Sequence, residues 1–319
     1  MTSKRFIRCG PLSGVAALLL SLGILAPRAS FGAEGALSHY LPGTAGDIAV
    51  ASSPEPGFQI AATAWVQSGD IGAAVLQGAV NVDLGVDIAL ALPSASYTWD
   101  LPSIGATYTV AAAIPFGYAK LGAGVVGPGG NQINFREESF HLSDISVVPF
   151  QLNWQIGNFS FKFAEAIVAP TGGYNVNNRV NLGRNYWSFS TVGAVTWLNP
   201  DTGTEASIAP GIMINTTNND TDYRTGSEFF VDFTANQFLS PSFALGLRGY
   251  YYRQVGGDSG SGALLGDFKS EALGLGPGFL WTPEFAEGRL TVLGKWMRDV
   301  RARNRFKSDY VTLTLAWKF

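Results

Sequence analysis

Hydrophobic and polar side chains alternate through much of the second half of the chain. Over residues 310–319, Val311, Leu313, Leu315, Trp317 and Phe319 share one face, and Tyr310, Thr312, Thr314, Ala316 and Lys318 the other. A period of two belongs to a β-strand whose two faces meet unlike surroundings. The same period sets Phe229, Val231 and Phe233 against Glu228, Asp232, Thr234 and Asn236, Leu245 and Leu247 against Arg248, and Phe161 and Phe163 against Lys162. Glu165 breaks the scheme, because it shares parity with Phe161 and Phe163, and it needs a rim position, a bulge or another register.

Read backward from the C-terminus, this alternation predicts strands at 310–319, 290–298, 272–282, 243–253, 228–238, 205–214, 186–198, 159–169 and 142–156. The connections are by turns short (283–288, 240–241, 199–203, 157–158) and long (299–307, 256–267, 215–226, 171–185). Short periplasmic turns alternating with longer outer loops are the rhythm of a transmembrane antiparallel β-barrel. Three earlier strands, 58–67, 82–97 and 106–126 with an irregularity at Pro115, bring the total to 12, or to 14 if the third splits and another strand joins. An even count places both termini on the periplasmic side. Residues 101–119 carry no charge, but Pro102, Gly105, Pro115 and Gly117 around the run Thr107 to Val110 oppose a membrane helix.

A charge facing lipid at the midplane costs about 2–4 kcal/mol, so the apolar faces should point outward. Lys162, Glu228, Asp232, Arg248 and Lys318 are then the candidates to line the lumen. Trp187, Trp197, Trp281, Trp296 and Trp317 lie near strand ends, where interfacial girdles form. Phe319, with Trp317 on the same face, has the place of a C-terminal assembly signal read by the barrel-insertion machinery. A soluble β-sandwich would share the alternation of residues but not that of the loops.

The N-terminus changes the picture by supplying an address. Lys4, Arg5 and Arg8 precede an apolar run over 15–26, and Ser30 and Gly32 offer a processing site, as in a secretory signal peptide. The expected organisation is a signal peptide at 1–32, a periplasmic or lumenal segment at 33–57 and the barrel at 58–319. Cleavage would remove Cys9, excluding disulfides and thiolate metal sites from the mature protein. It would also leave 17 of the 21 basic residues against 24 acids, a net charge of −7 that offers no basic surface for nucleic acid. With 14% charged and 13% aromatic residues, the chain suits neither disorder nor a helical membrane protein.

Candidate chemistry is sparse, and no catalytic residue, cofactor or metal site is assigned. The string Gly122-Ala-Gly124-Val-Val-Gly127 spells a dinucleotide fingerprint, but Pro128, Gly129 and Gly130 follow where a helix would have to start. Ser259 lies in a Gly/Ser loop, and the only histidines, His39 and His141, suggest no partner for it by sequence. Asn218, Asn219, Asp220 and Asp222 offer oxygen ligands without the spacing of a calcium cage.

Several blocks carry a family likeness. They are Glu34-Gly-Ala-Leu-Ser-His39-Tyr40-Leu-Pro42-Gly43, Pro54-Glu-Pro56-Gly57-Phe58, Ser143-Asp144-Ile145 with Pro149 and Trp154, and Ala169-Pro170-Thr171-Gly172-Gly173-Tyr174. Gly183-Arg-Asn185-Tyr-Trp187, Thr221-Asp222-Tyr223-Arg-Thr-Gly226 and Gly249-Tyr-Tyr-Tyr252-Arg-Gln254 follow. In order and spacing the chain resembles the proteobacterial outer-membrane proteins named for the MetA pathway of phenol degradation, with Ala36 departing from an expected glycine. The resemblance implies an outer-membrane barrel, not an enzyme, linked to uptake of small hydrophobic or aromatic compounds. Its surroundings would be outer-membrane lipid and lipopolysaccharide. On this reading the polar lumen is occluded by loops or by residues 34–56. An unselective diffusion porin and an outer-membrane lipid-modifying enzyme are the competing functions, the second opposed by the lack of a Ser/His or acid/His pairing in the outer half of a strand.

Overall fold

The computed structural model describes residues 33–75, 80–126, 132–263 and 269–319. The expected signal peptide and Cys9 lie outside the described residues, as does most of the glycine-rich stretch after Gly124. The architecture is all-β and antiparallel: β1 (Gly57–Val75), β2 (Val80–Leu101), β3 (Ala106–Ala113), β4 (Phe116–Val126), β5 (Gln132–Leu142), β6 (Ile145–Ile156) and β7 (Phe159–Ala169) come first. They are followed by β8 (Ser188–Asn199), β9 (Thr204–Asn215), β10 (Glu228–Ser240), β11 (Phe243–Gln254), β12 (Glu271–Trp281), β13 (Leu290–Arg303) and β14 (Lys307–Lys318). The only helical turns among the described residues are two 3-10 turns of three residues each, Glu34–Ala36 and Glu284–Ala286.

Strand β14 pairs with β1 from Gln59↔Lys318 to Asp70↔Lys307 and closes the sheet. Closure leaves no edge with unpaired N–H and C=O groups inside the bilayer, where each would cost several kcal/mol. The closed wall has 12 staves, because β3 and β4 are one stave interrupted at Ile114 and Pro115: β3 pairs with β2 over residues 94–101 and β4 with β2 over 81–91. Likewise β5 and β6 form one stave broken at Ser143 and Asp144, pairing with β4 and β3. The expected count of 12 and the irregularity at Pro115 are therefore both present.

The first third differs from expectation in length. β1 and β2 run well beyond 58–67 and 82–97, and β5 lies where no strand was expected. Above the level of Val66 and Ala89 the outward positions become polar, with Ser68, Asp70, Asp83, Asp87, Lys120, Arg136 and Glu138, and Lys120 pairs with Asp87 at 3.2 Å. This part of the wall stands clear of the bilayer, so its outer face is wet. The connection expected at 299–307 shrinks to 304–306 for the same reason: β13 continues to Arg303, with Arg298 and Arg301 facing water and Asp299 buried inside.

Within the bilayer band the faces are as the alternation predicts. Val311, Leu313 and Leu315 are exposed to the surroundings of the barrel, as are Leu245 and Leu247, while Tyr310, Thr312, Asp232 and Arg248 are buried inside. Outward rings form a belt near the periplasmic rim: Phe58 lies 5.6 Å from Phe319, Tyr97 4.5 Å from Trp99, and Trp99 5.6 Å from Tyr108. Glu165 sits opposite Phe150, where β6 bulges between Val147 and Phe150, and accepts a hydrogen bond from Thr191 at 2.8 Å. Glu165 keeps the outward parity of Phe161 and Phe163, with Ala164 buried on the other face, so the bulge on β6 does not turn it inward.

Candidate functional site

Residues 33–56 form no strand. Pro42, Pro54 and Pro56 lack the N–H that a ladder needs, and Gly43 and Ala49 adopt positive φ of 76° and 54°. Backbone groups enclosed by a barrel must still find partners. Here inward side chains of the wall supply them. At the outer end, the Glu34 carboxylate accepts from Asn218 (3.0 Å) and Thr221 (2.8 Å), and its carbonyl accepts from Arg184 (3.3 Å). Ser38 donates to Glu228 and the Tyr40 hydroxyl to Asp232. Asp232 also accepts the N–H groups of Ala45 (2.8 Å) and Gly46 (3.0 Å). Lower down, Lys295 donates to the Gly43 carbonyl at 2.5 Å and pairs with Asp47 at 2.9 Å, and Lys162 donates to the Ala45 carbonyl at 3.4 Å. Glu205 accepts from Ala49, Thr196 from Ala51, and Asn153 donates to the carbonyls of Ala51 and Ser52. Glu55 and Lys318 make an ion pair at the periplasmic end.

The segment thus runs through the lumen from the outer loops to the start of β1. The first described residues sit among the loops after β7 and β9, while β1 starts beside the end of β14 at the opposite rim. Of the residues expected to line the lumen, Lys162, Glu228, Asp232 and Lys318 touch the segment directly. Arg248, 2% exposed, donates to Asn236 and lies 4.0 Å from Asp47. Sequence reasoning missed Lys295 and Glu205, which act in the same way, and Tyr40, whose ring stacks on Phe230 at 4.3 Å and on Tyr252 at 5.7 Å. Trp317 is half-buried, and Phe319 projects at the rim.

The opposite wall has another character. On β2 the inward positions are Leu84, Val86, Ile88, Leu90 and Leu92, joined by Trp65 from β1 and by Ala119, Leu121 and Ala123 from β4. Val180 and Leu182, from the connection after β7, belong to the same buried cluster, and Leu37, Leu41 and Val50 of the segment pack against it. The lumen is therefore not uniformly polar: β6 to β13 carry the polar groups that hold the segment, interspersed with apolar side chains such as Val192, Met213, Phe230 and Met297, while β1, β2 and β4 present an apolar wall. Below the wall, inward Ser96, Thr98, Thr109 and Gln151 line a polar cavity of about 250 Å³ beside Pro54 and Lys318.

A pairing that the sequence did not reveal lies near the outer end. His39 Nε2 is 2.8 Å from Asp144 Oδ2 and His39 Nδ1 is 2.6 Å from Ser188 Oγ. Asp144 is the break between β5 and β6, and Ser188 begins β8, so one imidazole ties the segment to two staves. A Ser/His/acid grouping therefore exists, with its histidine on the N-terminal segment and its acid between strands, not on the outer half of a strand where the expectation placed it. Its setting is structural: Ser188 is fully buried and its hydroxyl lies 2.5 Å from the Asn215 side-chain oxygen, to which it donates, and Asp144 further accepts from the N–H of Gly172 and Arg184. Burial lowers the His39 pKa, outweighing the raising effect of Asp144, and Arg184 adds to the lowering.

The remaining candidates fall elsewhere. Ser259 bridges to Arg224 in an outer loop, and Asn218, fully buried, is committed to Glu34 and Tyr174. Among the described residues no three His, Cys, Asp or Glu side chains gather as a metal site.

The family model described as "Putative MetA-pathway of phenol degradation" matches residues 69–315. No curated protein matches the chain. Among solved structures, the COG4313 outer membrane channel from Pseudomonas putida F1 superposes with a TM-score of 0.62 at 15% identity, covering 84% of this chain and 97% of that one. The translocator domain of the autotransporter NalP from Neisseria meningitidis gives 0.41 at 10% identity, with coverages of 96% and 98%. The CymD monoaromatic hydrocarbon channel gives 0.43 at 8% identity, with coverages of 83% and 89%. The fold places the chain in the bacterial outer membrane.

Proposed function

We propose that this chain, which belongs to the phenol-degradation family whose model it matches, is an outer-membrane channel for small hydrophobic or aromatic molecules, closed by its own N-terminal segment. The observation that carries this reading is the apolar inner wall from Leu84 to Leu92 beside a polar-seated plug. An open, unselective pore keeps a polar interior, whereas this wall favours solutes that wet poorly. The polar cavity beneath it would release them toward the periplasm. Lys162, Glu228, Asp232, Arg248 and Lys318 act as the seat of the plug. Lipopolysaccharide, which slows such solutes, and the insertion machinery that reads Phe319 and Trp317 complete the set of partners.

Uptake of radiolabelled aromatic and aliphatic compounds by deletion and complemented cells, at limiting concentration, tests the reading. Complementation should speed entry of the apolar compounds; equal rates for every compound would remove the transport function. The enzyme alternative has one observation in its favour, the His39, Asp144 and Ser188 constellation. Covalent labelling of Ser188 by a fluorophosphonate would support it, and burial of Ser188 opposes it.

A further inference from the structure

We infer that Trp65 and Thr312 form a hydrogen-bonding subsite for a ligand oxygen on the inner wall, so that the channel prefers ring compounds bearing a hydroxyl to plain hydrocarbons of the same size. The inference rests on the proposed function and specifies its substrate. Both side chains point inward: Trp65 is 1% and Thr312 5% exposed, while their neighbours Val66 and Val311 face outward. They are direct cross-strand partners on β1 and β14. Neither Trp65 Nε1 nor Thr312 Oγ1 has a hydrogen-bond partner among the described residues. Buried polar atoms are ordinarily satisfied, and an orphan calls for an explanation such as a ligand.

Their position in the wall explains what they would hold. Register places Lys295 beside Thr312, Thr312 beside Trp65, Trp65 beside Leu90, and Leu90 beside Gly117. Lys295 is the last of the polar groups on β6 to β13 that hold the segment and is taken up by Gly43 and Asp47. Leu90, with Ile88 and Val86, begins the apolar wall. The two orphaned atoms therefore lie on the boundary between a surface the plug satisfies and one that only apolar groups can satisfy. A hydroxyl placed there accepts from the indole N–H, which can only donate, and donates to Thr312, which can accept. The ring attached to it would lie along Leu90 and Ile88. Tyr310, its ring 5.7 Å from that of Trp65 and tilted by 41°, lies at the side. Because Trp65 is nearly enclosed, the subsite fills when the plug loosens, which should change affinity for both kinds of ligand but not the ratio between them.

The test is ¹⁹F NMR titration of the full mature chain in detergent micelles with 4-fluorophenol and 4-fluorotoluene, empty micelles correcting for partitioning. It is run in the wild type and in Asp232→Ala, which loosens the plug. Two added hydrogen bonds should favour 4-fluorophenol roughly 5- to 150-fold. Thr312→Val and Trp65→Phe, each checked for heat-modifiable barrel formation, should each lower the ratio several-fold while affinity for 4-fluorotoluene holds. An unchanged ratio in both variants, or a wild type with no preference or no binding, overturns the subsite. Uptake that persists in that case leaves the channel standing, whereas loss of every uptake difference removes the channel itself.

Discussion

Asp232→Ala should convert a closed channel into one that opens readily in planar bilayers. Asp232 is fully buried and gathers three donors of the plug, the Tyr40 hydroxyl and the N–H groups of Ala45 and Gly46. Truncation leaves all three without an acceptor. Hydrogen bonds to a charged group contribute about 1.5–3 kcal/mol each, and loss of the buried charge's own desolvation cost offsets part of that sum. A net weakening on the order of 3 kcal/mol shifts the seated-to-released ratio by roughly a hundredfold. Wild-type conductance in a variant that still assembles as a barrel would show that the carboxylate does not hold the segment in place.

The second large effect concerns assembly. Leu313 faces lipid six residues before Phe319, roughly 15 Å up the tilted strand and close to the midplane. Leu313→Lys should cost about 2–4 kcal/mol and lower the assembled amount severely. Thr312→Val, one residue away on the inner face, should leave it nearly intact. Deleting Phe319 should also impair insertion, more than Lys318→Gln does. These quantities are read as heat-modifiable protein in outer-membrane fractions. Equal amounts for Leu313→Lys and Thr312→Val would reverse the assignment of faces on β14.

What could be read from the sequence was the part whose two faces meet different solvents over a full bilayer. β10, β11 and β14 have lipid on one side and polar groups on the other, so their alternation is strong and its sense is fixed by the cost of a misplaced charge. The outer half of β2 obeys the same period but the opposite sense: Asp83 and Asp87 face water outside, and Leu84, Val86, Ile88 and Leu90 face the interior. The rule that apolar means lipid does not hold once the stave rises above the membrane. β5 escaped notice because Arg136 and Glu138 face outward and Glu137 inward, which leaves no clean polar or apolar face.

The seat of the plug was half legible. Glu228, Asp232, Arg248 and Lys162 could be placed inside by parity alone. What they hold could not, because residues 33–56 have no period and their partners are distant in sequence: Tyr40 and Asp232 are separated by 192 positions, and His39 is 105 from Asp144 and 149 from Ser188. His39 was visible as a rare residue near the expected mature N-terminus, but without the closed barrel nothing connected it to Asp144.

The central claim is that movement of the N-terminal segment opens and closes the barrel, and a reversible lock tests it most directly. A side chain added at Gly46 would place its Cβ 2.8 Å from that of Asp232, so a small local shift brings Gly46→Cys and Asp232→Cys to the separation of a disulfide, about 3.8 Å. Cys9, the chain's single native cysteine, is replaced by serine in this variant, and the pair then has no competitor. The measurement is single-channel conductance of this double variant, oxidised and then reduced in the same bilayer. The account predicts a closed channel when oxidised and, with the Asp232 carboxylate gone, frequent opening after reduction. Identical conductance in the two states, with the crosslink verified by mass, would contradict it.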